Sequence, residues 1–415
     1  TVHLCGVISQ TVFILGNGAL GNPVTIRFEP GARLSSTVWD FTRGAMYAKG
    51  RQFVIIDGAG VGIIENTANG SALQYKVQST GLMLHDCQNC EVRNLTVSNI
   101  YQRTSTSDPN GSSYGIVLMG NSTNSSVHDC AVTNVWRAIC VHYSEVKSSN
   151  VSVYNNSAIK TCIGISIGST GTGAVAENIN IYNNRVADNY VWDGIWSGTS
   201  GWWHANGMQA FASHTGSAIS GLNIYNNEMG PNFGTRVTGW IYVTDAGISN
   251  VNIYNNLLTA TGSSYPSNAY ITLRRVTGVK VYNNTIVGSG KGFGVGLFEG
   301  ASSVNIQNNI ISKIYQPYTG ISVNDSSSLK VSDRNDFDGP TYYYYQTKYY
   351  TLAEWQSTLG FDRNSITADP LLSSDYRPAS ISPVRGRGDN LGSPFNIDKA
   401  GVVRPYTGWT LGIYQ

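Results

Sequence analysis

Apolar and polar residues alternate along most of this chain with a period of two, and the alternation returns in blocks of nearly constant length. The clearest block is Asn180-Ile181-Tyr182-Asn183-Asn184. It recurs as Ser152 to Asn156, Asn223 to Asn227, Asn252 to Asn256, Lys280 to Asn284 and Asn305 to Asn309. Tyr154 to Tyr182 is 28 residues, Tyr225 to Tyr254 is 29 and Tyr254 to Tyr282 is 28; the one long interval, Tyr182 to Tyr225, is 43. Period two within each block predicts strands, and no block holds a long stretch of helical periodicity. All-strand units repeating at this length predict a solenoid, the parallel β-helix. The doubled Asn suits it: stacked amides can bond along the stack, and Asn tolerates the left-handed turn of a sharp corner.

Each unit carries a second strand, as in Ala138 to His142, Gly164 to Gly168, Gly207 to Phe211, Trp240 to Thr244, Tyr270 to Arg274 and Gly294 to Phe298. Its second and fourth positions are apolar and are predicted to point inward. The first, third and fifth are predicted to point outward. The long interval predicts an insertion at about 186–206, rich in aromatic residues. A departing coil is where repeat proteins often place function. Residues 1–340 are therefore expected to form the β-helix, and 341–415, where the pattern breaks, a cap packed on its open end.

Composition narrows the class. Charged residues are 13% of the 415, Gly numbers 46 and the net charge is +2. This is the profile of an all-β extracellular protein and argues against a nucleic-acid partner. No apolar run is long enough for a membrane span. Secretion is expected, and with it disulfides among Cys5, Cys87, Cys90, Cys130, Cys140 and Cys162, although six cysteines leave the pairing open. A monomer is expected.

The run Gly21-Asn22-Pro23-Val24-Thr25-Ile26-Arg27-Phe28-Glu29-Pro30-Gly31-Ala32, followed by Ile55-Ile56-Asp57-Gly58, resembles the opening coils of the pectate-lyase-like superfamily. The Asn-Ile-x-Ile-x-Asn-Asn repeat is similar to its β-helix repeat, over roughly residues 10–340. The resemblance implies a single-stranded right-handed parallel β-helix. It implies little about activity, since the fold carries lyases, hydrolases, epimerases and phage tailspikes. Trp203-His204-Ala205-Asn206-Gly207-Met208-Gln209 resembles a His-x-Asp-Gly-x-Gln pattern of some β-helix proteins, with Asn206 where an acid is expected. Polygalacturonase signatures and the Asp-Pro-His motif of mannuronan epimerases are absent.

Stacking the outward positions gathers Asp245, Arg274, Arg275 and Glu299 on three successive rungs. The backbones of Asp245 and Glu299 then lie about 9–10 Å apart. Arg274 and Arg275 would neutralise a uronate or act as base, and Asp245 and Glu299 would hold Ca²⁺ in a calcium-dependent lyase. In a hydrolase the same acids, or Asp193 with one of them, would be the acid–base pair. His204 joins the catalytic candidates. Trp196, Trp202, Trp203, Asn206, Gln209, Tyr242, His142 and Arg236 are candidate substrate contacts, the tryptophans as flat faces for sugar rings. The leading expectation is a polysaccharide lyase. The alternatives are a glycoside hydrolase and a non-catalytic glycan-binding or tailspike-like β-helix. A neutralised surface ladder of charges is the bland reading of the same column.

Overall fold

The computed structural model describes residues 1–68, 78–101, 113–144, 148–192, 205–315, 317–324, 326–339 and 343–415. Its regular secondary structure is nearly all strand, and contacts divide it into two compact units, residues 1–220 and 221–415.

In each unit the strands fall into three sheets, and neighbours within a sheet pair in parallel, except that Tyr343–Tyr345 pairs antiparallel with Lys348–Tyr350. In the first unit, sheet A includes Glu91–Arg93, Ser126–His128, Ser148–Tyr154 and Val175–Tyr182. Sheet B includes Thr96–Ser98, Ala131–Thr133, Ser157–Ile159 and Arg185–Ala187. Sheet C includes Thr80–His85, Tyr114–Met119, Arg137–Tyr143, Ile163–Ser169 and Ala205–Ala212. The second unit repeats the scheme. Ile248–Tyr254 and Thr277–Tyr282 lie in sheet A, and Thr285–Gly290 and Ile310–Ile314 in sheet B. Val237–Thr244, Ala269–Arg274 and Phe293–Phe298 lie in sheet C. This is a parallel β-helix with three strands per coil, one more than the sequence pattern predicts. The missed sheet B strands are mostly two or three residues long and follow the Asn corner at once, too short to show a period.

The repeat block is sheet A and the corner after it. The second Asn of each doublet points inward. Asn256 Nδ2 donates to Asn284 Oδ1 at 3.0 Å and to Ile224 O at 2.9 Å, while its backbone N–H donates to the same Asn284 Oδ1. Asn227 stands likewise on Asn256, Asn284 on Asn309, and Asn309 on Asn335. The ladder ends on Asp362, which accepts from Asn335, Ser332, Ser365 and Trp355. In the first unit Asn156 stands on Asn184, and Cys130 N–H takes Asn156 Oδ1 at the ladder's lower end. Buried amides bonded this fully fix the register of successive coils.

One expectation about facing is corrected. The first position of the five-residue blocks read for sheet C, held by Gly115, Gly164, Trp240 and Tyr270, points inward. A Cβ on Gly115 would meet Val132 and Val135 of the interior, and one on Gly164 would meet Val186. In the second unit that position holds Trp240 and Tyr270, fully buried and 4.8 Å apart, with Trp240 also against Phe233. Glycine or a large aromatic here follows the width of the interior.

The expected disulfides are also corrected: all six cysteines are free thiols, and five are buried. The C-terminal segment meets the second unit in two places. Tyr343–Tyr345 extends sheet C, and Trp355 packs on Tyr343 near the last coil. From about residue 363 the chain turns back along the flank of the second unit. There Asn308, Asn283 and Asn255 donate in turn to the carbonyls of Asp389, Phe395 and Ile397, and Lys399 reaches Asn226 O. Phe395 and Trp409 cover Tyr254 and Tyr282.

Candidate functional site

The charged column lies where the second unit's sheet C ends. Thr244, Arg274 and Phe298 are aligned across three strands. The next residue of each coil, Asp245, Arg275 and Glu299, turns the corner with positive φ (100°, 59° and 50°). Asp245 N–H donates to Arg274 O and Arg275 N–H to Phe298 O, so the backbone carries the ladder through the turn and sets the side chains one rung apart.

The four charged groups alternate in sign. Arg275 Nη2 donates to Asp245 Oδ1 at 3.2 Å, and its Nε lies 3.7 Å from Glu299 Oε2. Glu299 Oε1 accepts from Arg274 Nη2 at 2.6 Å. The hydrogen bond to Glu299 raises the Arg274 pKa above its ordinary value; burial opposes this, and the Tyr242 side chain adds to it. That guanidinium is held as a cation, which disfavours the base role and leaves charge neutralisation. All four side chains reach solvent, Glu299 most (52%) and Asp245 least (19%).

Calcium does not fit this arrangement. Ca²⁺ takes six to eight oxygens; here the guanidinium of Arg275 lies between the two carboxylates. Among the described residues no group of three acidic, His or Cys side chains is placed to hold a metal.

Beside the charges lies an apolar face. Phe298 folds back over Gly296, where a Cβ would come within 2.4 Å of the ring. Thr244 Oγ1 lies 3.4 Å from Asp245 Oδ1 and joins the group unforeseen, since a hydroxyl in an alternating strand carries no distinguishing signal. Arg236 is exposed just ahead of Val237–Thr244.

Three other candidates fall on sheet C of the first unit: His142 and Asn206 are buried and Gln209 is half-buried. His142, expected at the surface, is 5% exposed and shares a 3.0 Å hydrogen bond between Nε2 and Ser166 Oγ. Its ring lies edge-on to Tyr114 and Phe211. Desolvation pushes its pKa down to about 3, so it is neutral. Asn206 is fully buried, and its Nδ2 donates to Gln209 Oε1 at 3.3 Å. The insertion candidates Asp193, Trp196, Trp202, Trp203 and His204 lie outside the described residues. Trp192, at the insertion's start, is buried, donates to Lys160 O and packs on Trp136 and Tyr101. Among the described residues no helix is long and apolar enough to cross a membrane.

Among solved structures, pectate lyase Pel9A aligns with 99% of this chain and 84% of its own, at TM-score 0.50 and 11% identity. The chain shares its fold with that lyase. The PfbA surface adhesin of Streptococcus pneumoniae is similar at TM-score 0.47 and 12% identity, over 83% of this chain and 84% of the adhesin. A family 28 exopolygalacturonase of Yersinia enterocolitica is similar at 0.43 and 15% identity, over 73% of this chain; the match spans 46% of the enzyme's length. No known family profile and no curated protein matches the sequence. At such identities the Pel9A likeness concerns the parallel β-helix alone, and activity has to be argued from side chains.

Proposed function

We propose that this protein is a secreted, monomeric carbohydrate-active enzyme, a polysaccharide lyase that acts on a uronic-acid glycan at the corner of Asp245, Arg274, Arg275 and Glu299. The observation that carries the reading is the pairing of two solvent-reaching guanidinium groups with carboxylates that an incoming carboxylate can replace. A uronate displaces Glu299 from Arg274 by exchanging one carboxylate for another, with two-pronged geometry that suits guanidinium. Its charge is then neutralised, which acidifies the C5 proton. The released Glu299 is the most exposed group of the cluster and stands as the base. The C5 proton passes to Glu299, the electron pair forms the C4–C5 double bond, and the C4–O bond breaks. The leaving oxygen takes its proton from water. Asp245 keeps Arg275 oriented, and Phe298 offers a sugar ring an apolar face.

Hydrolysis needs one carboxylic acid poised to donate a proton. On this corner both carboxylates accept hydrogen bonds from guanidinium groups, which favours elimination. The test is incubation with acidic and neutral polysaccharides, reading the ultraviolet absorbance of an unsaturated uronate together with reducing ends. Both rising together on an acidic glycan supports the proposal. Reducing ends alone would make the protein a hydrolase, and neither signal would make it a binding β-helix.

A further inference from the structure

The second unit has a pocket on a different sheet, where the returning tail crosses sheet B. It encloses about 500 Å³, within the range of small-ligand sites. Its walls are Ser312, Tyr315 and Asp338 from the coils and Asp369, Ser373 and Tyr376 from the tail.

Tyr315 is 53% exposed yet closely held. A Cβ on Gly339 (φ 107°) would come within 2.8 Å of its ring, and one on Gly290 (φ 95°) within 3.3 Å. The ring is therefore seated against two glycine backbones and keeps its remaining surface free. Ser312 Oγ donates to Asp338 Oδ2 at 2.8 Å, and Leu371 N–H donates to Asp369 Oδ1 at 2.8 Å. Each carboxylate is thus oriented through one oxygen, and carboxylates have further acceptor capacity. Two residues before Asp338, on the same face, lies Asp336. It is fully buried, and its Oδ2 has no hydrogen-bond partner. Burial first, then the charges of Asp338 and Asp369, pushes its pKa up to about 8. Among the described residues of the wall Lys313 is the one cation, against Asp338 and Asp369, so the pocket has an acidic balance.

We infer that this pocket is a second saccharide site, specific for an uncharged sugar. A seated aromatic ring supplies the stacking face, the carboxylates supply acceptors for sugar hydroxyls, and Ser312 Oγ, whose hydrogen is held by Asp338, keeps acceptor capacity. Its acidic balance repels the uronate that the arginine corner attracts, so the two sites select opposite parts of a mixed glycan. Auxiliary binding of neutral segments would hold a polymer on the protein while the acidic residues are processed.

The test titrates short neutral oligosaccharides of xylose, glucose, mannose and galactose into the full chain by calorimetry, with calcium chloride alone as a separate arm. The expected result is saturable binding of at least one sugar. Tyr315→Ala should weaken it at least about tenfold, with unliganded thermal stability kept. Asp338→Asn should weaken it too, and Arg274→Ala should leave it unchanged. Hydrogen exchange on the wild-type chain makes the test independent of any variant's folding: protection by the bound sugar at residues 312–315 and 369–376 supports the site. Absence of binding, protection confined to other segments, or calcium binding without sugar binding would overturn it. Because these probes carry no uronate, failure here leaves the lyase proposal standing, and the reverse holds.

Discussion

Two corners of the second unit solve the same backbone problem with opposite chemistry. At the corner after sheet A the chain turns through Asn226, Asn255, Asn283 and Asn308, all with positive φ. Asn is among the few residues that visit this conformation at small cost. The amides of Asn255, Asn283 and Asn308 are bonded to the tail, and the following Asn of each doublet builds the buried ladder. At the corner after sheet C the turn is made by Asp245, Arg275 and Glu299. The corresponding corner of the first unit uses Gly50, Asp86 and Gly120. Arg and Glu are poor choices for a left-handed turn, and their heads stand in solvent, where ion pairs add little stability. A corner that keeps them gains nothing in folding from their charge. Placement without a folding benefit is what a working surface looks like.

The largest test of this contrast is on the ladder. Asn284→Ala removes the acceptor for Asn256 N–H and Asn256 Nδ2 and leaves two buried donors unpaired. Stability should fall by about 4 kcal/mol, read from the denaturant midpoint, with the exposed corner's chemistry intact in the folded fraction. Arg274→Ala should do the reverse. It should cost at least about a hundredfold in turnover of an acidic glycan and less than about 1 kcal/mol of stability.

His142 extends the comparison to the first unit. It belongs with the buried, uncharged surfaces although it lies on the outward side of sheet C. Its pKa is lowered to about 3, so the unfolded chain takes up a proton below about pH 6.5 and the folded chain does not. Stability is full above that point and is lost as pH falls toward 3, by about 2 kcal/mol at about pH 5. His142→Gln should flatten this acid limb in a pH series of urea melts. The smallest effect belongs to Arg275→Gly, which relieves a left-handed side chain but removes the solvent-reaching ion pairs to Asp245 and Glu299. Its stability should stay within about 1 kcal/mol of the parent.

The Asn doublets and the apolar positions of sheet C made the fold legible, because a repeated corner and an inward stripe leave a period in the sequence. The charged column was legible for the same reason: in a chain with 13% charged residues, three charged corners in register stand out. Sheet B was not, since strands such as Arg185–Ala187 are shorter than any period they could display. The inward Trp240 and Tyr270 looked outward because the first position of the five-residue block breaks the alternation of those after it. The tail's return along the flank rests on single amides meeting carbonyls more than 80 residues away, a pairing that local pattern does not encode. The burial of His142 depends on rings one coil before it and two coils after it.

The central claim is that the arginine corner reads a carboxylate. The most direct measurement compares turnover of one uronate polysaccharide with that of the same polymer after its carboxyl groups have been reduced to alcohols, for wild type and Arg274→Ala. The account predicts that wild type cleaves only the acidic form, with an unsaturated product, and that Arg274→Ala loses this activity while remaining folded. Equal cleavage of both forms by wild type, or full activity in Arg274→Ala, would contradict it.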